Sequence, residues 1–222
     1  MRTVRPLDAF ARGSTGVERK GQLWTQLGSR GADTGGLELW VITGALLMDV
    51  AAAFPSVARG CLLRKMRAIG IEECPVDWTD SFVRDRQVMG VDGQDGEPTR
   101  VTTGLPQGSP ISPVLFAIYI ADIHGAVEGQ VEDSRGISFV DDVTWLAEGT
   151  NLNDVVDKLE RCAAASLQWA DRNRFETSKT EAILFSKKRK HRRCNTGRGI
   201  QVGSQTARFA SETTRWLGIW LD

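Results

Sequence analysis

From Val41 to Asp49 nearly every position, VITGALLMD, is apolar, and a run this short reads as a strand buried on both faces. Pro55 then interrupts the chain, and Val57, Cys61, Leu62, Met66 and Ile69 recur at helical spacing until Gly70 stops them. The spacing predicts a second short helix over Val76 to Arg86. Gln87 to Val91 and Pro98 to Thr103, separated by the turn-rich DGQDGE, predict a hairpin. Ser112 followed by Pro113 predicts an N-cap with proline at the first helical position. The helix behind them, VLFAIYIADI, is apolar nearly all round, so it belongs in the interior.

Gly136 to Leu146 predicts two short strands that meet at Asp141 and Asp142. Asn153 to Arg172 carries Val155, Val156, Leu159, Cys162, Ala163, Leu167 and Ala170 on one face, an amphipathic helix. A strand over Glu181 to Phe185 follows, and Trp216 to Leu221 closes as an extended apolar segment in which Trp216 and Trp220 pack a sheet. Residues 1 to about 35 show neither period and read as loop. This order predicts an α+β fold, a small antiparallel sheet with helices packed on one face.

The composition, 41% hydrophobic and 25% charged, is that of a chain with a core and argues against disorder. No apolar run approaches the ~18 residues of a membrane span. The 28 basic and 28 acidic residues balance, so net charge says nothing of a polyanionic partner. Their distribution says more: Lys187, Lys188, Arg189, Lys190, Arg192 and Arg193 surround His191 in one block. That block reads as a solvated loop, as phosphate contacts to a nucleic acid, or as a nuclear-import signal. The four cysteines, Cys61, Cys74, Cys162 and Cys194, form no C-x-x-C pair and read as reduced thiols of an intracellular protein.

Three carboxylates stand out against the apolar background. Asp49 ends the first strand, and Asp141 and Asp142 sit at a hairpin tip inside ISFVDDVTWL. Adjacent aspartates can serve turn chemistry alone, and a lone Asp49 can cap a strand end. Together they match the oxygen donors that hard divalent cations require. Two such cations ~4 Å apart would activate a hydroxyl and stabilise the leaving oxygen of an in-line phosphoryl transfer. Gly104 to Pro113, GLPQGSPISP, places two glycines and three prolines ahead of the buried helix. Such a stretch is either an elaborate helix cap or a backbone shaped for close approach to a ligand.

At these positions the chain resembles the reverse transcriptases, most closely those of non-LTR (LINE-like) retrotransposons. LLMDVAAAFPSV (46–57), GLPQGSPISPVLF, FVDD, RFETSKTEAILF (174–185) and RWLGIWLD (215–222) match five palm motifs in order and spacing over residues 40–222. The resemblance implies a right-hand polymerase palm with fingers and thumb largely missing. It assigns 1–40 to a remnant of the fingers and 41–185 to the palm, with a finger-side hairpin at about 87–103. Residues 186–206 become a basic linker and 207–222 the final palm motif.

By the same resemblance Asp49, Asp141 and Asp142 bind two Mg²⁺ ions, with Mn²⁺ as a substitute, and Val50 lends a backbone carbonyl. Phe54 is the steric gate that excludes a ribose 2′-OH, Gln107 and Gly108 line the nucleotide pocket, and Lys179 protonates the departing pyrophosphate. The implied reaction is RNA-templated addition of dNTPs to a DNA primer 3′-OH; the implied partners are an RNA template, a DNA primer and dNTPs, with no membrane. Phe139 stands where many relatives have Tyr. Two other readings are a catalytically inactive nucleic-acid-binding remnant and an RNA virus replicase; replicases favour G-D-D at the tip, which FVDD and Phe54 oppose.

Overall fold

The computed structural model describes residues 42–88, 99–173, 176–185, 198–210, 214–216 and 219–221; for 88, 99, 176–179, 214–216 and 219–221 it describes the backbone alone. The apolar run folds as β1 (Ile42–Ala51), a strand whose first five residues are buried without exception. One helical turn, α1 (Ala53–Ser56), follows, then α2 (Arg59–Ala68), which ends at Gly70 with φ 83°. The next helix, α3 (Glu73–Val83), begins and ends three residues earlier than its spacing predicts. β2 (Arg86–Val88) pairs antiparallel with β3 (Thr99–Val101), the expected hairpin.

The apolar helix is divided at Ala121 into α4 (Ser112–Ile120) and α5 (Asp122–Glu128). Ser112 is not its N-cap. Ile111 holds that place, and the Ser112 hydroxyl donates instead to the Pro106 carbonyl at 2.7 Å. The loop ahead of the helix curls back, so the side chain finds a nearer acceptor in the loop than a donor in the first turn.

β4 (Ser134–Phe139) and β5 (Asp142–Gly149) form the predicted hairpin, and α6 (Leu152–Asn173) is the amphipathic helix. β6 (Glu176–Phe185) starts five residues before its apolar part, because its polar first half still pairs with β1 down to Ala51. The four strands make one antiparallel sheet in the order β4-β5-β1-β6.

α6 crosses one face of this sheet. Gly44 opens the space for it: a Cβ there would lie 2.5 Å from Val155 Cγ1 and 2.8 Å from Leu159 Cδ1. Leu46, Met48, Trp145, Leu159, Phe116 and Tyr119 fill the core on that side. Tyr119, the chain's sole tyrosine, ties helices together, its hydroxyl donating to the Asn173 carbonyl (3.1 Å) and accepting from the Ala58 amide (3.4 Å). The opposite face carries a small apolar strip of Ala45, Leu146 and Ile183 flanked by Leu47, Ile137 and Phe185.

Residues assigned to a basic linker are in part a folded element. β7 (Ile200–Val202) pairs with β8 (Gln205–Ala207), with Ile200, Val202 and Ala207 buried in the main core. The period-two alternation of this stretch is too short to stand out beside the basic block. Beyond it, the Ala210 amide bonds to the Ala182 carbonyl at 2.8 Å, bringing the chain back to β6. The closing segment is a hairpin of β9 (Thr214–Trp216) and β10 (Ile219–Leu221) rather than one extended run. Among the described residues no helix is long and apolar enough to cross a membrane.

Candidate active site

Strand register brings two of the three carboxylates together. Asp49 and Asp142 are direct Cα partners in the antiparallel pair of β1 and β5, which puts their Cα atoms about 4.5–5.5 Å apart and their side chains on one face. At the same place the pairing of β1 with β6 shifts register: Met48 to Val50 is two steps where Thr177 to Thr180 is three, so β6 carries a bulge opposite Asp49. Alternation puts Asp49 on the helix-free face with Leu47 and Ala45, while Leu46 and Met48 point into the core.

Asp141 belongs to the two-residue tip between Phe139 and Asp142, which face each other in register. Its carbonyl accepts the Val50 amide at 3.0 Å, so the tip is fastened to the strand that carries Asp49. The other tip residue, Val140, has φ 54°, a left-handed conformation that a β-branched side chain adopts only under constraint. Val140 is packed against the core, which supplies that constraint. Phe139 is 60% exposed beside the tip.

The electrostatics agree with convergence. Burial pushes the Asp142 carboxyl above its ordinary range, and the charges of Asp141 and Asp49 push it further the same way. Oxygen donors placed beside one another in this way are the kind a hard divalent cation takes. As they stand, no three His, Cys, Asp or Glu side chains among the described residues are gathered as a closed ligand set. Val50 itself is buried and its amide is engaged with Asp141.

A cleft of about 390 Å³ is lined by Phe54, Gln107, Gly108, Ser109, Pro110, Ser112 and Pro113. It unites the first and second motifs. Phe54 is carried on α1, just after Ala52 turns the chain with φ 48°, and its ring lies 5.4 Å from that of fully buried Phe116 on α4. The Leu105 amide donates to the Phe54 carbonyl and the Gly104 amide to the Val57 carbonyl, each at 2.8 Å. Gly104 has φ 81°, and a Cβ on it would fall 2.6 Å from Pro55 Cα and 2.8 Å from the Phe54 carbonyl oxygen. Only glycine allows these two backbones to meet.

Expected residues thus divide. Asp49, Asp141, Asp142 and Val50 share one corner, and Phe54, Gln107 and Gly108 share one cleft. Lys179 lies in β6 by its backbone, and its side chain is outside the described residues, as are the residues of the basic block 187–193. Sequence reasoning missed Ser109, Pro110, Ser112 and Pro113 as lining residues, although the glycine- and proline-rich stretch that contains them was the available signal.

The antiparallel sheet with two aspartates paired across β1 and β5, its helices, and the cleft lined by Phe54 and Gln107 fit a partial polymerase palm. The family model described as reverse transcriptase (RNA-dependent DNA polymerase) matches residues 16–221, and the chain belongs to that family. It is 34% identical over 77 residues to a Pol polyprotein from type-1 retrotransposable element R2 of Popillia japonica, covering 34% of this chain and 13% of that protein. Against the RNA-directed DNA polymerases from mobile element jockey it is 28% identical over 60% of its length for Drosophila funebris, and 26% over 81% for Drosophila melanogaster. The chain spans 15% and 19% of those two proteins. These relatives support the non-LTR branch that the motifs indicate.

Among solved structures, apo telomerase from Candida tropicalis truncated from its C-terminal domain superposes with TM-score 0.60 at 13% identity, covering 94% of this chain and 38% of that one. Telomerase of the same organism in complex with a telomeric RNA fragment gives TM-score 0.58 at 13% identity, covering 80% and 32%. At that identity the likeness is one of fold, and it supports a partial polymerase palm. Members of the family use divalent metal ions, which the all-oxygen donors of the acidic corner fit.

Proposed function

We propose that the chain is the catalytic portion of an RNA-directed DNA polymerase of a non-LTR element, adding dNTPs to a primer 3′-OH on an RNA template. The observation that carries this reading is the direct pairing of Asp49 with Asp142, with Asp141 fastened to the same strand. Asp49 and Asp141 would be the more direct ligands of two Mg²⁺ ions, assisted by Asp142 and the Val50 carbonyl. Such ions, when bound, lower the pKa of an attacking hydroxyl and neutralise charge on the transferring phosphoryl group.

The chain's own residues supply position. Phe54, braced by Phe116, forms the wall of the cleft against which a sugar would rest, and its bulk would exclude a 2′-OH. Gln107 and Gly108 line the same cleft, where exposed loop backbone can meet a base or triphosphate. Lys179 would donate the proton that the departing pyrophosphate takes up. The basic block 187–193 would contact phosphates of the template–primer duplex without reading sequence, and would serve nuclear entry as well.

The test is incorporation of dTTP on poly(rA)/oligo(dT) with Mg²⁺, comparing the wild type with Asp141→Asn. Incorporation that drops on the order of 10³-fold supports the reading, since several kcal/mol of charge stabilisation are removed. Equal incorporation by both proteins would refute catalysis at this corner. Salt-dependent duplex binding without any incorporation would favour the binding remnant instead.

A further inference from the structure

Arg86 lies at the start of β2, half-buried, outside both the acidic corner and the cleft lining. Asp85 before it has φ 47°, a left-handed turn that aspartate tolerates, and it is ion-paired with Arg100 of β3. This turn aims Arg86 back toward the loop that follows β3. One of its terminal nitrogens donates to the carbonyl of Thr103 at 2.7 Å and to that of Gly104 at 2.6 Å, while Nε reaches the Val83 carbonyl at 3.3 Å. Three backbone oxygens thus converge on one guanidinium.

The two carbonyls it holds belong to the peptides on which the cleft depends. Gly104 and Leu105 send their amides to Val57 and Phe54, so the same short segment is held by Arg86 on its oxygen side and by α1 on its nitrogen side. Phe54 hangs from the far end of this chain of bonds. A guanidinium is the suitable clamp: it is always charged, its donors are planar and fixed, and charge-assisted bonds exceed neutral ones.

We propose that Arg86 is a positioning residue for the nucleotide cleft, holding the Thr103–Gly104 carbonyls so that Gly104 and Leu105 dock on the Phe54 turn. This rests on the reading of that cleft as the nucleotide pocket. It also differs from a plain helix cap. The bond to Val83 at the end of α3 is the longest of the three, and the two short bonds run to a loop distant in sequence.

Amide hydrogen exchange on the full chain tests it without requiring activity. Arg86→Ala should speed exchange of the Gly104 and Leu105 amides at least about tenfold while β1 and α6 amides stay within about twofold, because two charge-assisted bonds are lost locally. Arg86→Lys, which keeps the charge and lacks the fork, should fall between, and it carries the test if Arg86→Ala loses protection in β1. On poly(rA)/oligo(dT), Arg86→Lys should raise the KM for dTTP several-fold with kcat within about twofold, and should lower the preference for dTTP over UTP.

Unchanged exchange at Gly104 and Leu105 in a folded variant overturns the proposal. So does acceleration spread through α3 alone, which marks a helix cap, and so does an unaltered KM with both amides freed. A wild type that incorporates nothing refutes the polymerase reading instead, and exchange alone then decides the clamp.

Discussion

Asp49 and Asp142 stand directly opposite each other across β1 and β5, two acids sharing one rung of an antiparallel ladder. Like charges placed opposite destabilise a sheet, and burial adds to the cost for Asp142. Asp142→Asn should therefore leave the metal-free protein at least as stable at pH 7, while incorporation falls on the order of 10³-fold. Thermal unfolding with and without Mg²⁺ separates the two effects. At tenfold above its Kd the ion should stabilise the wild type by roughly 1.4 kcal/mol, about 3–6 °C for a chain of this size. The Asn variant should lose much of that gain, and an equal gain in both proteins would detach the ion from this corner.

Gly104→Ala should damage the cleft out of proportion to its size. The left-handed φ alone costs an L-residue roughly 1–2 kcal/mol, and the new methyl would meet the Pro55 backbone, which cannot swing aside as a side-chain tip can. Chemical denaturation should show a loss of at least about 2 kcal/mol, accompanied by a raised KM for dTTP. A variant with wild-type stability and KM would contradict the close backbone approach.

Gly44→Ala probes a different crowding. Its neighbours are the side-chain tips of Val155 and Leu159, so overpacking should cost about 1–3 kcal/mol. Val155→Ala in the same chain should recover part of that loss, a coupling that a double-mutant cycle measures. Simple additivity of the two losses would show that α6 does not rest on Gly44.

The Asp80 carboxyl on α3 receives hydrogen bonds from Arg59 of α2 and Arg84, which hold it down to about 2. A folded pKa below the unfolded one of about 3.9 means that the stabilisation is complete above the latter. It is lost as pH falls from about 4 toward 2. The Tm difference between wild type and Asp80→Asn should hold constant from pH 7 to 5 and close between pH 4 and 2. A difference that persists undiminished at pH 2 would mean that Asp80 acts through something other than its charge.

Much of the sheet was legible because its strands announce themselves. β1 is an unbroken apolar run, and FVDD breaks such a run with two charges that only a tip accommodates. α6 was legible for the same reason, a sustained amphipathic period. What escaped depends on partners distant in sequence. Nothing local tells that Ser112 will bond Pro106 rather than cap its helix, that β6 continues through polar residues, or that Ile200 and Val202 will bury themselves. That Asp49 and Asp142 share a rung, opposite a bulge on β6, is a property of pairing that no local pattern states. Arg86 is the extreme case, since its role lies wholly in carbonyls that any sequence would offer.

Val140 gives the hairpin tip a further property. Its backbone, at φ 54°, would relax if the residue were glycine, yet its partly buried side chain packs against the core. Releasing the torsion would move the isopropyl group off that contact, which opposes a second conformation of the tip. Asp141, one residue on, is thereby kept at a fixed height above the sheet, as a latch is kept by a spring that cannot uncoil without leaving its seat.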